Sequence, residues 1–402
     1  MVVLNLKLNH IYGFDDFEIN FTYPKKIVNS IIPEEHLADR PRFRYKKAIV
    51  LMGSNATGKT SLGRALLEIF RYIQTENEQR ILDIVQGNAI GNIQIDFVNE
   101  GFQLHRLTLT IDKTKQSVER RYETCKILSS DTYESCVSKL IDRTENVAAL
   151  GALSKAAGPL QYRFAYSEIE HKLSVTEIDQ QTLLATLRAV IGTLDPTLRN
   201  ISISKELKNS FVIRRKNEEI IIQDGKLLNR EALSSGTIEG IDIAIFLASM
   251  LTGKECFYYC DEHFSFIQSD IEQRIFGLML CRLKGNEQMI FTTHNTDMLN
   301  LNLPKHSFAF LRKVEEDGDY HTNVTYASDI LKRNTDSVRN AVENDMFQSL
   351  PDDSLLDELE AGDEITRSTN VTRASELTKS KSVSNFKSDF AEDNNKRIIL
   401  KR

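Results

Sequence analysis

Tryptophan is absent from the 402 residues, and proline (7) and cysteine (5) are sparse. Basic charge is not in excess either: 51 Lys and Arg stand against 57 Asp and Glu, a net charge of −6. No global field therefore draws the chain to nucleic acid, which leaves only a local basic groove for that role. The cysteines (Cys125, Cys136, Cys256, Cys260, Cys281) show no paired CxxC spacing, and an odd number with no disulfide framework suggests a reducing compartment. Cys256 and Cys260 flank an apolar run, where buried thiols are expected rather than a metal pair. The N-terminal MVVLNLKLNHIYGF lacks a basic start followed by a long apolar core, so no signal peptide is expected. No apolar stretch approaches the ~20 residues of a membrane span. The expectation is a soluble cytoplasmic protein without a membrane partner. What is present is ordinary globular usage, with 41% hydrophobic and 27% charged residues and 18 Gly. The length suits two or three domains of about 150 residues, or one elaborated α/β domain with a tail.

Residues 1–21 alternate apolar and polar and predict two strands around Tyr12-Gly13-Phe14. Ala48-Ile49-Val50-Leu51-Met52 is a continuous apolar run, typical of a strand buried on both faces. After a glycine loop come Leu62, Ala65, Leu66, Ile69 and Phe70 at helical spacing. Residues 90–112 predict a hairpin turning at Asn99-Glu100-Gly101. Beyond it a strand near 125–128, helical segments to 160 and a helix over 176–194 are expected, the last ended by Asp195-Pro196. Residues 211–215 and 219–223 predict a second hairpin. A helix then begins near Ile241, and buried strands follow at 256–260 and 288–292 with a helix over 269–283 between them. Residues 308–312 and 322–326 predict a last strand pair, with Asp317-Gly318-Asp319 as its turn. Residues 351–402 are polar and aperiodic and are expected to form a flexible tail after a domain spanning 1–350.

Three motifs carry chemistry. Gly53-Ser54-Asn55-Ala56-Thr57-Gly58-Lys59-Thr60, followed by Ser61, matches GxxxxGK[ST] between a buried strand and an amphipathic helix. Such glycines let backbone N–H groups wrap a triphosphate at a helix N-terminus. Lys59 would reach the β- and γ-phosphates, and the Thr60 hydroxyl would sit on Mg²⁺. The second motif, Tyr258-Tyr259-Cys260-Asp261-Glu262, ends an apolar strand in two carboxylates. Asp261 suits the Mg²⁺ water shell and Glu262 the attacking water. The third, Leu233-Ser234-Ser235-Gly236-Thr237, precedes a helix and is either an N-cap or a phosphate contact.

The order of P-loop, LSSGT, Asp-Glu about 25 residues later and a strand ending in Thr292-Thr293-His294 resembles the ABC-type ATPases. LSSGT resembles their LSGGQ signature. The resemblance implies an α/β, ABC-ATPase-like P-loop fold with an antiparallel β subdomain, a helical insert over about 113–230 and no long coiled coil. It implies ATP and Mg²⁺ as ligands and slow, regulatory hydrolysis. Ser234, Ser235 and Gly236 would meet the γ-phosphate of ATP held by another protomer, and His294 would be the switch histidine. A homodimer or higher homo-oligomer follows from that shared site.

Within the superfamily, the opening LNHIYGFDDFEINF, LSSGT itself and IFTTHNTDML are similar to the RecF, SMC and OLD-like branch, over most of residues 1–345. The stand-alone OLD-like ATPases of the PARIS, Septu, retron-associated and abortive-infection systems are the nearest likeness. That likeness implies an oligomeric sensor in anti-phage defence. It would hold and release a separate toxic effector, such as a TOPRIM or HNH nuclease, in response to a phage protein or DNA. After His294 the sequence runs 108 residues (402 minus 294), half of them polar tail, so a fused TOPRIM domain is not expected. The alternative is a RecF-like repair ATPase that binds DNA. Departures from the family pattern are His263-Phe264 after Glu262, the lack of His-Pro in 265–268, and Ile238-Glu239 after LSSGT. Gln94 and Gln161 both stand as candidates for the Mg²⁺-contacting glutamine.

Overall fold

The apolar run at 48–52 is flanked by strands on both sides and helices on both faces, and the rest of the molecule is arranged around it. A computed structural model describes residues 1–349, apart from 29, 100, 167–174, 176, 217, 230, 232, 253–255, 317 and 334, together with Leu356. The chain divides into Met1–Leu350 and Pro351–Arg402. The expected tail lies outside the described residues except for Leu356.

The central sheet of the first unit places β10 (Tyr162–Tyr166), β15 (Phe257–Asp261), β16 (Gln288–Thr292), β5 (Ala48–Met52) and β17 (Phe308–Glu316) side by side and parallel. The strand β18 (Asp319–Tyr326) closes its edge antiparallel to β17. A second, wholly antiparallel sheet runs β2 (Phe17–Asn20), β1 (Val2–Asn9), β6 (Ile90–Val98), β7 (Gln103–Asp112), β8 (Ser117–Lys126) and β9 (Ile141–Asp142). A four-stranded meander consists of β11 (Ile201–Ile203), β12 (Ser210–Arg215), β13 (Glu218–Gln223) and β14 (Lys226–Leu227), and a short pair of β3 (His36–Leu37) and β4 (Arg40–Arg44). The longer helices are α1 (Lys59–Thr75), α5 (Gln180–Leu194), α6 (Ser235–Thr252) and α7 (Ser269–Arg282). Short ones are α2 (Glu78–Asp83), α3 (Tyr133–Val137), α4 (Ala152–Ala157), α8 (Ala327–Ile330) and α9 (Val338–Glu343).

Alternation along β5 sorts the layers, because successive side chains point to opposite faces. Ile49 and Leu51 face α1, whose Leu62, Leu66, Ile69 and Phe70 are in turn roofed by Leu6, Ile93, Ile95 and Leu107 of the antiparallel sheet. Ala48, Val50 and Met52 face the other way, into a core with Leu187 of α5, Phe246 of α6 and Phe276 of α7. Each fully buried Leu, Ile or Phe contributes about 1.5–3 kcal/mol. Helix α1 is thus held between two sheets, and its first turn, which carries Lys59, is fixed from both sides.

The α/β fold class, with its P-loop sheet and antiparallel β subdomain, is as expected. Among the described residues no helix exceeds the 18 residues of α6, so none forms a coiled-coil arm. No described helix is long and apolar enough to cross a membrane. The stretch 113–230 differs from a helical insert: it supplies β8 to the antiparallel sheet, β10 to the parallel one, and the meander beside α5. The strand expected near 125–128 is the end of a ten-residue β8 whose outer half is polar and is held in register by β7. Strand β10 lies between the segments expected to be helical, to 160 and over 176–194, where the sequence marks no element. Its aromatics pack on Phe70 and Phe257, which lie far away in sequence.

Candidate nucleotide-binding site

The P-loop residues Gly53 to Gly58 link β5 to α1 at the C-terminal edge of the parallel sheet, where open α/β sheets bind ligands. Two glycines are demanded by local geometry. A side chain at Gly53 would place its Cβ 2.5 Å from the Leu311 carbonyl oxygen. Gly58 has φ +103°, and its Cβ would lie 2.8 Å from the Phe14 ring. Phe14, in the turn between β1 and β2, therefore caps the loop. Ala56 also takes a left-handed conformation, at φ 61°. The Thr57 hydroxyl donates to the Ser54 carbonyl at 2.9 Å, and the Thr322 hydroxyl to the Thr57 carbonyl at 3.4 Å. Asn55 and Ala56 are exposed at the tip, while Ser54, Thr60 and Ser61 are half-buried. The N–H groups of the first turn of α1 have no intrahelical acceptor, so they are available to an anion.

Lys59 is buried, and its ammonium donates to the carbonyls of Gly53 (2.9 Å) and Ser54 (3.2 Å) while lying 3.3 Å from Glu262 Oε1. Burial lowers its pKa, and the carboxylates of Glu262 and Asp261 oppose that fall. The backbone carbonyl of Lys59 accepts a 2.6 Å hydrogen bond from the Tyr259 hydroxyl, which ties α1 to β15. Asp261, at the end of β15, is buried. Desolvation raises its pKa against the hydroxyls of Thr60 and Thr292, both hydrogen-bonded to it. The Thr292 bond is 2.8 Å long, and the same hydroxyl accepts the Glu262 N–H at 3.0 Å. Glu262 leaves the strand with φ +48°, a left-handed turn that directs its side chain back over the sheet edge. Its Oε1 lies 2.9 Å from His294 Nε2. The His294 hydrogen bond is the main reason its pKa is lowered, with Lys59 adding to the effect. An open cleft of about 390 Å³ begins at Glu262 and His294 and continues past Phe264, Ser265, Ser269 and Glu272.

Lys59, Thr60, Asp261, Glu262 and His294, widely separated in the chain, are thus brought together. Ser234 and Ser235 are not part of this cluster. They are exposed at the start of α6, where Ser234 Oγ accepts the Thr237 N–H at 3.3 Å and meets the Thr237 hydroxyl at 2.8 Å. The N-cap reading of LSSGT is therefore realised, while both serines remain facing outward. Gly236 abuts the loop after Glu262, where its Cβ would be 2.7 Å from the Phe266 carbonyl oxygen. The departure residue Glu239 is used in the same place, accepting the Phe266 N–H at 3.0 Å.

Neither glutamine candidate is brought to the cluster. Gln161 precedes β10, and its carbonyl bonds the N–H of Phe257, the first residue of β15, whereas Asp261 is the last. Gln94 sits in β6 opposite Lys7 and Thr108, with Ile93 and Ile95 occupying the face toward α1. The site also contains residues to which the sequence gives no role: Phe14 over Gly58, Tyr259 beneath Lys59, Thr292 between the two carboxylates, and Glu272. Only Thr292 carried a signal, as the first of the polar residues ending a buried strand.

No family model matches the chain, and no curated protein matches it. Among solved structures it is similar to an SmcHead bound to the C-winged helix domain of ScpA, at 13% identity and TM-score 0.47, covering 82% of this chain and all of that one. It is also similar to the SMC head domain from Thermotoga maritima (15% identity, TM-score 0.40, 81% and 99% coverage). A third likeness is to the recombination mediator protein RecF of the RecFOR pathway (11%, 0.39, 80% and 98%). These likenesses are loose.

Proposed function

We propose that the protein is an ABC-type ATPase that closes into a homodimer around ATP and uses that closure to hold and release a separate effector in anti-phage defence. The observation that carries the ATPase reading is the meeting of Lys59, Thr60, Asp261, Glu262 and His294 at one sheet edge, with Ser234 left facing outward. The defence role and the toxic effector, a nuclease in another chain, rest on the sequence resemblance alone.

Lys59 is held by carbonyls of its own loop, and a triphosphate entering the loop offers it a better acceptor. Thr60 and Asp261 fit Mg²⁺: a buried carboxylate braced by two hydroxyls is a group that burial disfavours as an anion and a cation would stabilise. When bound, the cation neutralises charge on the β- and γ-phosphates. Glu262, kept ionised by His294 and Lys59, orients the attacking water, and His294 reaches the phosphate from the adjacent strand end. Ser234 of a second copy completes the pocket. Nucleotide affinity is then realised in full only in the closed dimer, so ATP shifts the assembly equilibrium and hydrolysis reverses it.

Glu262→Gln keeps the shape of the site and removes the carboxylate. It should bind ATP and accumulate as a dimer or larger assembly in light scattering, whereas wild type returns to its starting mass as ATP is consumed. A Glu262→Gln protein that stays monomeric at saturating ATP refutes the mechanism.

A further inference from the structure

We propose that Glu272, on the first turn of α7, is a positioning residue that clamps the loop carrying His294 and so sets where that imidazole lies over the nucleotide; this rests on the ATPase reading. Glu272 is 2% exposed yet lines the same cleft as Glu262 and His294. Its two carboxylate oxygens grip the residues on either side of His294. Oε1 accepts the Thr293 hydroxyl at 2.8 Å, and Oε2 accepts the Asn295 amide at 2.6 Å.

The clamp has further ties. The second Asn295 amide hydrogen is directed at Ser269 Oγ (2.9 Å), and Asn295 Oδ1 accepts the Asp297 N–H at 2.9 Å. The Ser269 hydroxyl donates to Asp297 Oδ2 at 2.7 Å. The Thr293 N–H donates to the carbonyl of Leu51 at 3.3 Å, two residues before Gly53. His294 is therefore the exposed centre of a three-residue segment whose two flanking side chains are tied to one buried carboxylate, which in turn belongs to the helix after the Glu262 loop. A carboxylate taken out of water persists where donors satisfy it, and here both donors come from the same short loop. Burial pushes the Glu272 carboxyl up in pKa, and the Asn295 and Thr293 bonds pull it back. No side chain of this clamp touches Lys59 or the P-loop tip among the described residues.

The test uses full-length protein with ¹³Cε1-labelled histidine, the His294 resonance being assigned by its loss in His294→Asn. Without nucleotide, Glu272→Ala should shift or broaden that resonance. With ATP it should lower kcat about tenfold to a hundredfold while KM moves less than about twofold, because the phosphate-binding loop is untouched. Glu272→Gln keeps an acceptor for Asn295 and an amide for the Thr293 oxygen, and should restore the resonance and bring kcat within about threefold of wild type. A His294 resonance unchanged in Glu272→Ala overturns the proposal. A wild-type protein that does not hydrolyse ATP overturns the ATPase reading instead, and the nucleotide-free resonance still decides this one. Should Glu272→Ala not fold, Asn295→Ala removes the bond from the loop side and is read in the same way.

Discussion

One methyl group added to α1 tests whether Lys59, the lysine proposed to bind phosphate, is placed by the packing beneath it. Gly63 lies four residues after Lys59, on the same face of the helix. A Cβ there would sit 2.5 Å from Tyr259 Cε1 and 2.9 Å from its Cδ1 and Cζ. Ordinary carbon contacts are about 3.5–4.0 Å, so the ring or the helix has to yield by about 1 Å. The ring has little room to yield: it is fully buried, stacks on Phe164 at 5.6 Å, and its hydroxyl is held by the Lys59 carbonyl. The helix must lift, taking Lys59 with it. Overpacking of this kind costs about 1–3 kcal/mol, and a loss of about 2 kcal/mol expressed at the loop weakens ATP binding about 30-fold. Gly277 of α7 provides the control, since nothing lies within 4 Å of its would-be Cβ. The same substitution there should stabilise the helix by about 0.5–1 kcal/mol. Calorimetric titration with ATP and urea unfolding midpoints measure both variants. Gly63→Ala with wild-type affinity and midpoint, or the two glycine variants behaving alike, refutes the reasoning.

Two more outcomes are expected from groups outside the cluster of Lys59, Thr60, Asp261, Glu262 and His294. Lys46 is buried, donates to the carbonyls of Asn20 (2.6 Å) and Thr22 (3.0 Å), lies over the Tyr326 ring, and is lowered by desolvation to about 7. Between that value and the ordinary 10.5 the unfolded chain binds the extra proton, so stability should rise as pH climbs through this window. Lys46→Met should flatten the rise in urea midpoint between about pH 6.5 and 9, and an equal slope in both proteins counts against the buried ammonium. Ser234→Asn keeps a good N-cap for α6, so its unfolding free energy should stay within about 0.5 kcal/mol of wild type. ATP-dependent dimer formation should be lost, because in the proposed dimer the longer amide would fill the space of the partner's γ-phosphate. A dimer of normal affinity, measured by light scattering, would remove Ser234 from the proposed interface.

The parts of the fold legible in the sequence are those whose burial is written locally. Strands β5 and β15 are apolar runs with a loop or a carboxylate at one end, β16 has an apolar centre in Met289-Ile290-Phe291, and the hairpin of β12 and β13 shows in its alternation. Strand β10 was not legible. Its short YRFAY run is held by rings from α1 and β15, so its identity comes from tertiary partners rather than its own period. The polar half of β8 is a strand because β7 pairs with it, again a non-local cause. In the site, spacing marked Lys59, Asp261, Glu262 and His294, since each ends or follows a buried strand. Glu272 was hidden because an acidic residue in the first turn of a helix is the usual complement to the helix dipole. Only the fold shows that it faces inward to Thr293 and Asn295. Gln94 and Gln161 illustrate the reverse: an amide of the right type whose strand position puts it elsewhere.

The pairing of β5 also has a consequence for biosynthesis. The antiparallel sheet joins strands that all lie within residues 2–142. Strand β5 emerges early, at 48–52, yet both its neighbours come from beyond residue 287. A ribosome must therefore add residue 310 before the strand carrying the loop has partners on both sides. Until then its open edges are the kind that recruit other chains, and late long-range closure is slow. A nascent or truncated chain lacking those last strands has the motif in its sequence without the sheet edge that places it.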